Sequence, residues 1–251
     1  MRARVSAYAG AQLRDYLVGR VPLTAVATGL AAWGYVYTHG LTWSAFDATG
    51  GIDARVQLQQ AFDFVLASFA FLAAAFAAHG LVAKHRRRGY DRVIFSRPLS
   101  PMRYYAQGFF IAGLGAVALG SMAAAFYAAA VYPVSVIGVA GYVALGWLSI
   151  GGLAFLLSTL TVFHAPLLLA IVAGDLAFDR YVSGLRASGG GSLTLDIAQY
   201  VLPPGHVVAS LSGSFARGTS IDPRVLAWPV AFGAICIIAA LLLLRRRPFG
   251  T

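Results

Sequence analysis

Residues 225–247 read VLAWPVAFGAICIIAALLLLRRR, an uncharged stretch of twenty residues followed by three arginines. A helix of twenty residues rises about 30 Å, which matches the hydrocarbon core of a bilayer. Lys and Arg collect in short loops on the cytoplasmic side of membrane proteins. The stretch therefore predicts a transmembrane helix over 225–244 whose flanking Arg245, Arg246 and Arg247 lie in the cytoplasm.

The composition extends this interpretation to the whole chain. Of its 251 residues, 59% are hydrophobic and 11% are charged, whereas soluble domains carry about a quarter charged residues. The apolar residues lie in blocks long enough to cross a membrane. We predict an all-α integral membrane protein, with a single six-helix transmembrane domain over 21–251. Its six spans are expected at about 21–38, 61–83, 104–130, 135–157, 161–178 and 225–244.

The basic residues predict the orientation. The net charge of +10 raises the question of nucleic-acid binding, but most Lys and Arg fall in 2–20, 84–103 and the final triple arginine. These positions flank the predicted spans, as the positive-inside rule expects. The bilayer, and not nucleic acid, is therefore the expected partner of these charges. We predict a multi-pass protein of the bacterial cytoplasmic (inner) membrane, with both termini cytoplasmic and a long outer segment over 179–224.

Two cytoplasmic segments have their own helical patterns. Residues 1–20 alternate apolar and polar positions at helical spacing, which predicts an amphipathic elbow helix in the membrane interface. The cytoplasmic loop 84–103 holds a basic cluster, Gly89 and a short amphipathic run. Pro98 ends that run, and Ser100 with Pro101 suits the start of the next helix. We therefore expect one short helix within this loop, parallel to the membrane.

Three stretches resemble one known family. SRPLSPMRYYAQGFF (residues 96–110) is similar to the first cytoplasmic loop of ABC exporter permeases of the type-two class. LAFLLSTLTVFHAPLLLA (153–170) resembles the family's turn between spans four and five, and QYVLPPGHVV (199–208) its outer segment before span six. The family has an elbow helix, six spans and a coupling helix between spans two and three.

The resemblance implies a transport subunit that is not itself an enzyme. Two permeases, identical or siblings, would pair and sit on two copies of an ABC ATPase subunit. ATP and Mg would bind to that ATPase, because this chain has no phosphate-loop motif and is expected to hold no cofactor. The expected contact with the ATPase is the coupling helix, with the residues Arg88, Tyr90, Asp91, Arg92, Val93, Ile94, Phe95 and Arg97. The expected anchors to headgroups or to the partner are Lys84, Arg86, Arg87, Arg245, Arg246 and Arg247.

Two carboxylates stand out in the predicted spans. Asp63 and Asp175 lie near outer span ends, and ionisable groups inside membranes often mark functional sites. They are candidates to line an outer gate.

Other functions stay open from the sequence. A secondary transporter would work without an ATPase, and a membrane-embedded enzyme or haem protein would use buried polar residues. His79 and His164 are candidate haem ligands, and Ser210–Phe215 resembles an intramembrane serine protease motif.

Overall fold

Every regular element among the described residues is a helix. The structure is a computed structural model that describes residues 2–38, 52–78, 82, 100–188, 195 and 202–246. Its main helices are α1 (Arg2–Asp15), α2 (Val21–Thr38), α3 (Ile52–Ala78), α4 (Pro101–Ala130), α5 (Val136–Gly146), α6 (Gly152–Leu160), α7 (His164–Ala187), α8 (Gly205–Ser210), α9 (Ser212–Arg217) and α10 (Pro223–Arg246). Two π-helical turns, Tyr16–Arg20 and Trp147–Gly151, join α1 to α2 and α5 to α6.

Successive long helices run in opposite directions between two ends of the bundle. We call the end that carries the α4–α5 turn, residues 131–135, the distal end. The end that carries the α6–α7 turn, residues 161–163, is the proximal end. The start of α3 is distal, because the Tyr127 hydroxyl at the end of α4 donates to the Leu58 carbonyl at 3.3 Å.

Five stretches are long and apolar enough to cross a membrane. They are Ala9–Thr38, Val56–Phe76, Pro101–Ala130, Val136–Leu160 and Pro223–Arg246. Large apolar side chains lie on their surfaces, such as Ile137 at 87% and Phe126 at 75% exposure. A water-soluble protein rarely exposes so much contiguous apolar surface. The fold is consistent with an α-helical membrane protein.

The predicted fifth span differs from these five. It is helical, but α7 begins at His164 and continues past residue 178 to Ala187. Asp175, Asp179 and Arg180 interrupt its apolar character, so only eleven residues, about 17 Å of helix, precede the first charge. This is shorter than the hydrocarbon core. The described residues thus contain five helices of spanning length and composition, and the crossing by α7 stays a prediction.

The N-terminal region is one continuous helical rod. Asp15 and Val21, on either side of the π-helical turn, both have α-helical dihedral angles. The predicted boundary at residue 20 therefore coincides with a π-helical turn and not with a break between an elbow and a span. The Gln12 amide donates to the Tyr104 carbonyl at 3.2 Å, and Tyr16 is buried against Gly115. The rod is thereby docked on α4.

Local polar groups explain the short turns between the long helices. Pro101 is the first residue of α4, and Ser100 before it has an extended conformation, as the sequence predicts, although its side chain makes no capping hydrogen bond. At the distal turn, Ser135 caps α5 by accepting from the Gly138 amide at 3.0 Å. At the proximal turn, the Thr161 hydroxyl accepts from the Phe163 amide at 3.1 Å.

The rod formed by α5 and α6 is the centre of the bundle. Of its spanning stretch, 78% is buried inside the protein, against 33% or less for the other four. α10 crosses this rod closely at two glycines. A Cβ on Gly152 would lie 2.9 Å from the Gly233 carbonyl oxygen, and a Cβ on Gly233 would overlap the Leu148 carbonyl. Only glycine allows this backbone-to-backbone approach.

We expect Gly233→Ala to destabilise the bundle by about 1–3 kcal/mol, because the added methyl group has no space and the two helices must separate. Thermal unfolding of the purified protein in detergent measures the effect. Gly174→Ala is the matched control, since a Cβ at Gly174 meets nothing within 4 Å and alanine favours the helix. Equal melting temperatures for the two variants would contradict the close crossing.

Candidate functional site

Two short helices fold back onto the bundle at the distal end. We call α8 and α9, residues 205–217, the distal cap. Pro203 and Pro204 precede α8, and Gly218 ends α9 with a positive φ of 66°. The Gly218 amide donates to the Phe215 carbonyl at 3.1 Å and the Thr219 amide to the Ser214 carbonyl at 3.0 Å, which is the usual glycine C-cap pattern.

A buried carboxylate of α7 holds the first turn of α8. One oxygen of Asp175 accepts from the backbone amide of His206 at 2.7 Å, and the other contacts the His206 Nδ1 at 2.8 Å. The Asp175 side chain is only 1% exposed. Both carboxylate oxygens therefore have a partner from α8, which offsets the free-energy cost of burying the charge.

Glycine at position 205 makes this contact sterically feasible. A Cβ on Gly205 would lie 2.7 Å from the Asp175 carboxylate oxygen. Pro204, the residue before α8, provides no side-chain cap. The carboxylate of a neighbouring helix thus takes the place that a Ser or Asp at the N-cap would normally occupy.

The pair also changes the acid–base behaviour of His206. The hydrogen bond to Asp175 raises the pKa of His206, with further contributions from the charges of Asp175 and Asp179, and these effects exceed the opposing effect of burial. A charged imidazolium is thus favoured in the folded protein.

A second carboxylate binds the other helix of the distal cap. An oxygen of Asp63, on α3, lies 3.6 Å from an Arg217 guanidinium nitrogen at the end of α9. A Cβ on Gly213 would lie 2.6 Å from the same carboxylate, so a glycine again permits the approach. This pair is partly exposed, and such ion pairs contribute little to stability. Its effect is to orient α9 on α3.

A cavity lies below the distal cap, between the two helices that carry these carboxylates. Its volume is about 330 Å³, within the range of small-molecule sites. The residues that line it are Phe64, Ala67, Ser68, Ala70, Phe71, Tyr142, Ile150, Leu169, Val172, Ala173, Leu176, Gly205, Val208 and Ala209. Ile150 belongs to the π-helical turn of the central rod, and such turns are frequent at functional sites.

The structure places two of the residues singled out in the sequence at the same end of the bundle. Asp63 and Asp175 both lie towards the distal end, each with a partner from the outer segment. Arg245 and Arg246 end α10 and are exposed. The candidate coupling residues Arg88–Arg97, the anchors Lys84, Arg86, Arg87 and Arg247, and the candidate ligand His79 lie outside the described residues.

Two other candidates from the sequence lie within the described helices. His164 is buried at the start of α7. The Ser210 and Ser212 hydroxyls donate to the carbonyls of Val207 and Ala209, as helical serines commonly do.

Sequence reasoning missed the partners of the two carboxylates. His206 follows Asp175 by 31 residues, a separation that no local periodicity can reveal. The sequence could indicate only that each carboxylate has some polar partner, because a charge in an apolar helix is costly without one. It could not indicate which residue that partner is.

Comparison with protein families, with curated proteins and with solved structures finds no match to this chain.

We expect Asp175→Asn to loosen the distal cap by about 1–3 kcal/mol, because the charge-assisted bonds to His206 are lost while the side-chain shape is kept. Hydrogen–deuterium exchange of residues 205–217 measures the loosening directly. Asp15→Asn is the control, since Asp15 lies far along the chain and is well exposed. Unchanged exchange in the Asp175 variant would contradict the assigned role.

The Asp175–His206 pair predicts a pH dependence. Because the folded state raises the pKa of His206, its stabilisation is complete below the unfolded-state value of about 6.5. It is lost as the pH rises through the higher folded-state pKa. We expect the melting temperature of the wild-type protein to exceed that of His206→Gln at pH 5.5, and the difference to shrink towards pH 9. A difference that grows with pH would refute the assignment.

Proposed function

We propose that this chain is the membrane-spanning permease subunit of an ATP-driven exporter in the bacterial cytoplasmic membrane, working with a separate ATPase subunit. The observation that carries the proposal is the basic loop between α3 and α4, whose sequence resembles the coupling loop of type-two ABC permeases. The helix ends that flank it, Ala78 and Pro101, lie at the proximal end together with Arg245 and Arg246.

The charge distribution supports a cytoplasmic proximal end. Arg103, Arg245 and Arg246 all lie near proximal helix ends, and the positive-inside rule assigns such an end to the cytoplasm. The N-terminal rod contacts the start of α4 at the same end through Gln12. An ATPase bound at the loop would therefore meet a surface made from α1, α4 and α10.

The packing supplies a route for coupling. α4 follows the loop directly and packs against the central α5–α6 rod, and α10 packs against the same rod. Close-packed helices move as units, because their interiors resist compression. A displacement of the start of α4 would thus tilt helices that reach the distal end, as in rigid-body switching. Asp63 and Asp175 would then act as an outer gate, since the cap opens only when their pairs separate.

One observation favours a second candidate function. The buried Asp175–His206 pair has the composition of proton-carrying sites in transporters, so a secondary transporter driven by protons would use it. Such a transporter would need no ATPase.

The two functions differ in the partner that they require. We expect the tagged chain, purified from native membranes in mild detergent, to bring with it a protein that carries a phosphate-loop motif. Ile94→Asp should lower the recovery of that protein at least about tenfold, because a charge enters an apolar contact. Mass spectrometry quantifies the recovery.

Ser96→Asp is the matched control, since it adds the same charge to the same loop at a polar position. A chain that purifies alone, even after crosslinking, would favour the secondary transporter. A partner that is retained by Ile94→Asp would contradict the assigned coupling contact.

A further inference from the structure

The cavity below the distal cap exists because α7 touches the bundle only along a narrow stripe. The buried residues of α7 are His164, Leu168, Val172, Asp175 and Val182, three or four positions apart except for the last. Its backbone packs on α6 near the proximal end and on α8 near the distal end, and the described residues show no comparable packing of α7 on α3. The space between α3 and α7 is therefore left open.

The described residues that line the cavity offer no charge to a ligand. Among them, the side-chain polar atoms are the hydroxyls of Ser68 and Tyr142. Two carboxylates lie close to the lining: Asp175 is buried and uses both oxygens on His206, and Asp63, next to Phe64, is paired with Arg217. A polar ligand would lose its hydration here without gaining partners, which is unfavourable. The lining thus selects for hydrocarbon.

The entrance to the cavity lies on an apolar surface. Phe64 on α3, with Leu169 and Leu176 on α7, belong both to the lining and to the exposed surface. Leu169 is 54% exposed. Phe64 lies within a stretch that is long and apolar enough to cross a membrane. In a bilayer, an apolar entrance of this kind would open towards the lipid acyl chains.

The volume of the cavity fits a hydrocarbon chain better than a single aromatic ring. A cavity of about 150 Å³ lined by aliphatic side chains stays dry and takes up benzene. The present cavity, at about 330 Å³, is roughly twice as large. Because the ligand arrives from hydrocarbon, the gain on binding comes from dispersion contacts that an empty cavity would lack.

We propose that this cavity binds one acyl chain of a membrane phospholipid, inserted sideways between α3 and α7. The site is distinct from the contact with an ATPase and does not depend on it. The inner wall is formed by the buried side chains of Val172 and Val208, and the Asp175–His206 pair holds α8 in place as the roof.

Photo-crosslinking tests the proposal. The full chain is reconstituted into vesicles of phosphatidylethanolamine and phosphatidylglycerol that contain a small fraction of phospholipid with a diazirine in the middle of one acyl chain. Mass spectrometry then locates the labelled residues. We expect label on Val172 or Val208, which are 7% and 2% exposed, as well as on the exposed Phe126 and Ile137. Label confined to the exposed residues would overturn the proposal.

A substitution that fills the entrance of the cavity provides a second test in the same experiment. Ala173→Phe adds a ring at the entrance, and we expect it to lower the label on Val172 and Val208 about tenfold, or about 1.4 kcal/mol in binding free energy. Ala170→Phe is the matched control, because Ala170 is exposed on the same helix but does not line the cavity. Unchanged label on Phe126 verifies that the variants are folded and inserted.

Two further outcomes would refute the site. Equal labelling of Val172 and Val208 in both variants would show that these residues are reached by another route. Crosslinks to a second copy of the chain from a photo-reactive amino acid placed at Phe64 or Leu169, with no lipid label inside, would identify the opening as an interface between copies.

Discussion

The close approach of two helix backbones at Gly152 and Gly233 is the contact on which the rest of the bundle depends. In a bilayer, lipid tails are as apolar as the helix surfaces, so helices associate through close packing and not through the hydrophobic effect. The two glycines let α10 lie directly on the central α5–α6 rod. That rod is in turn the surface against which α3, α4 and the distal cap pack.

The sequence predicted the helical architecture well where composition alone decides it. The first, third, fourth and sixth predicted spans correspond closely to α2, α4, the α5–α6 rod and α10, because uncharged blocks of spanning length have no alternative to helix in a membrane. The start of α3 lies nine residues before the predicted span. Gln57, Gln59 and Gln60 make that part of the helix polar. Hydropathy indicates which residues prefer lipid and not which residues are helical, so the polar start of α3 was not predicted.

The candidate site was only partly predictable. Asp63 and Asp175 were identifiable because charges are rare in apolar helices. Their partners His206 and Arg217 lie on another segment, and tertiary folding alone brings them together. The π-helical turns could not be predicted either. A turn with i→i+5 hydrogen bonds differs from α-helix only in its backbone pairing, so the length and composition of the apolar block give no sign of it. The cavity exists because α7 packs on the bundle along a narrow stripe of buried residues. The spacing of its apolar residues suggests such a stripe, but only the packing of the helices shows where a space is left.

The pairing of Asp175 with His206 sets an order of events during synthesis. α7 leaves the ribosome before its partner, which follows 31 residues later. Until then, the Asp175 carboxylate lacks the polar partners that offset the cost of a charge in an apolar environment. α7 therefore settles into its final position only after α8 has emerged and closed over it. We expect α7 and α8 to dock jointly, as a last step, onto the helices that precede them in the chain.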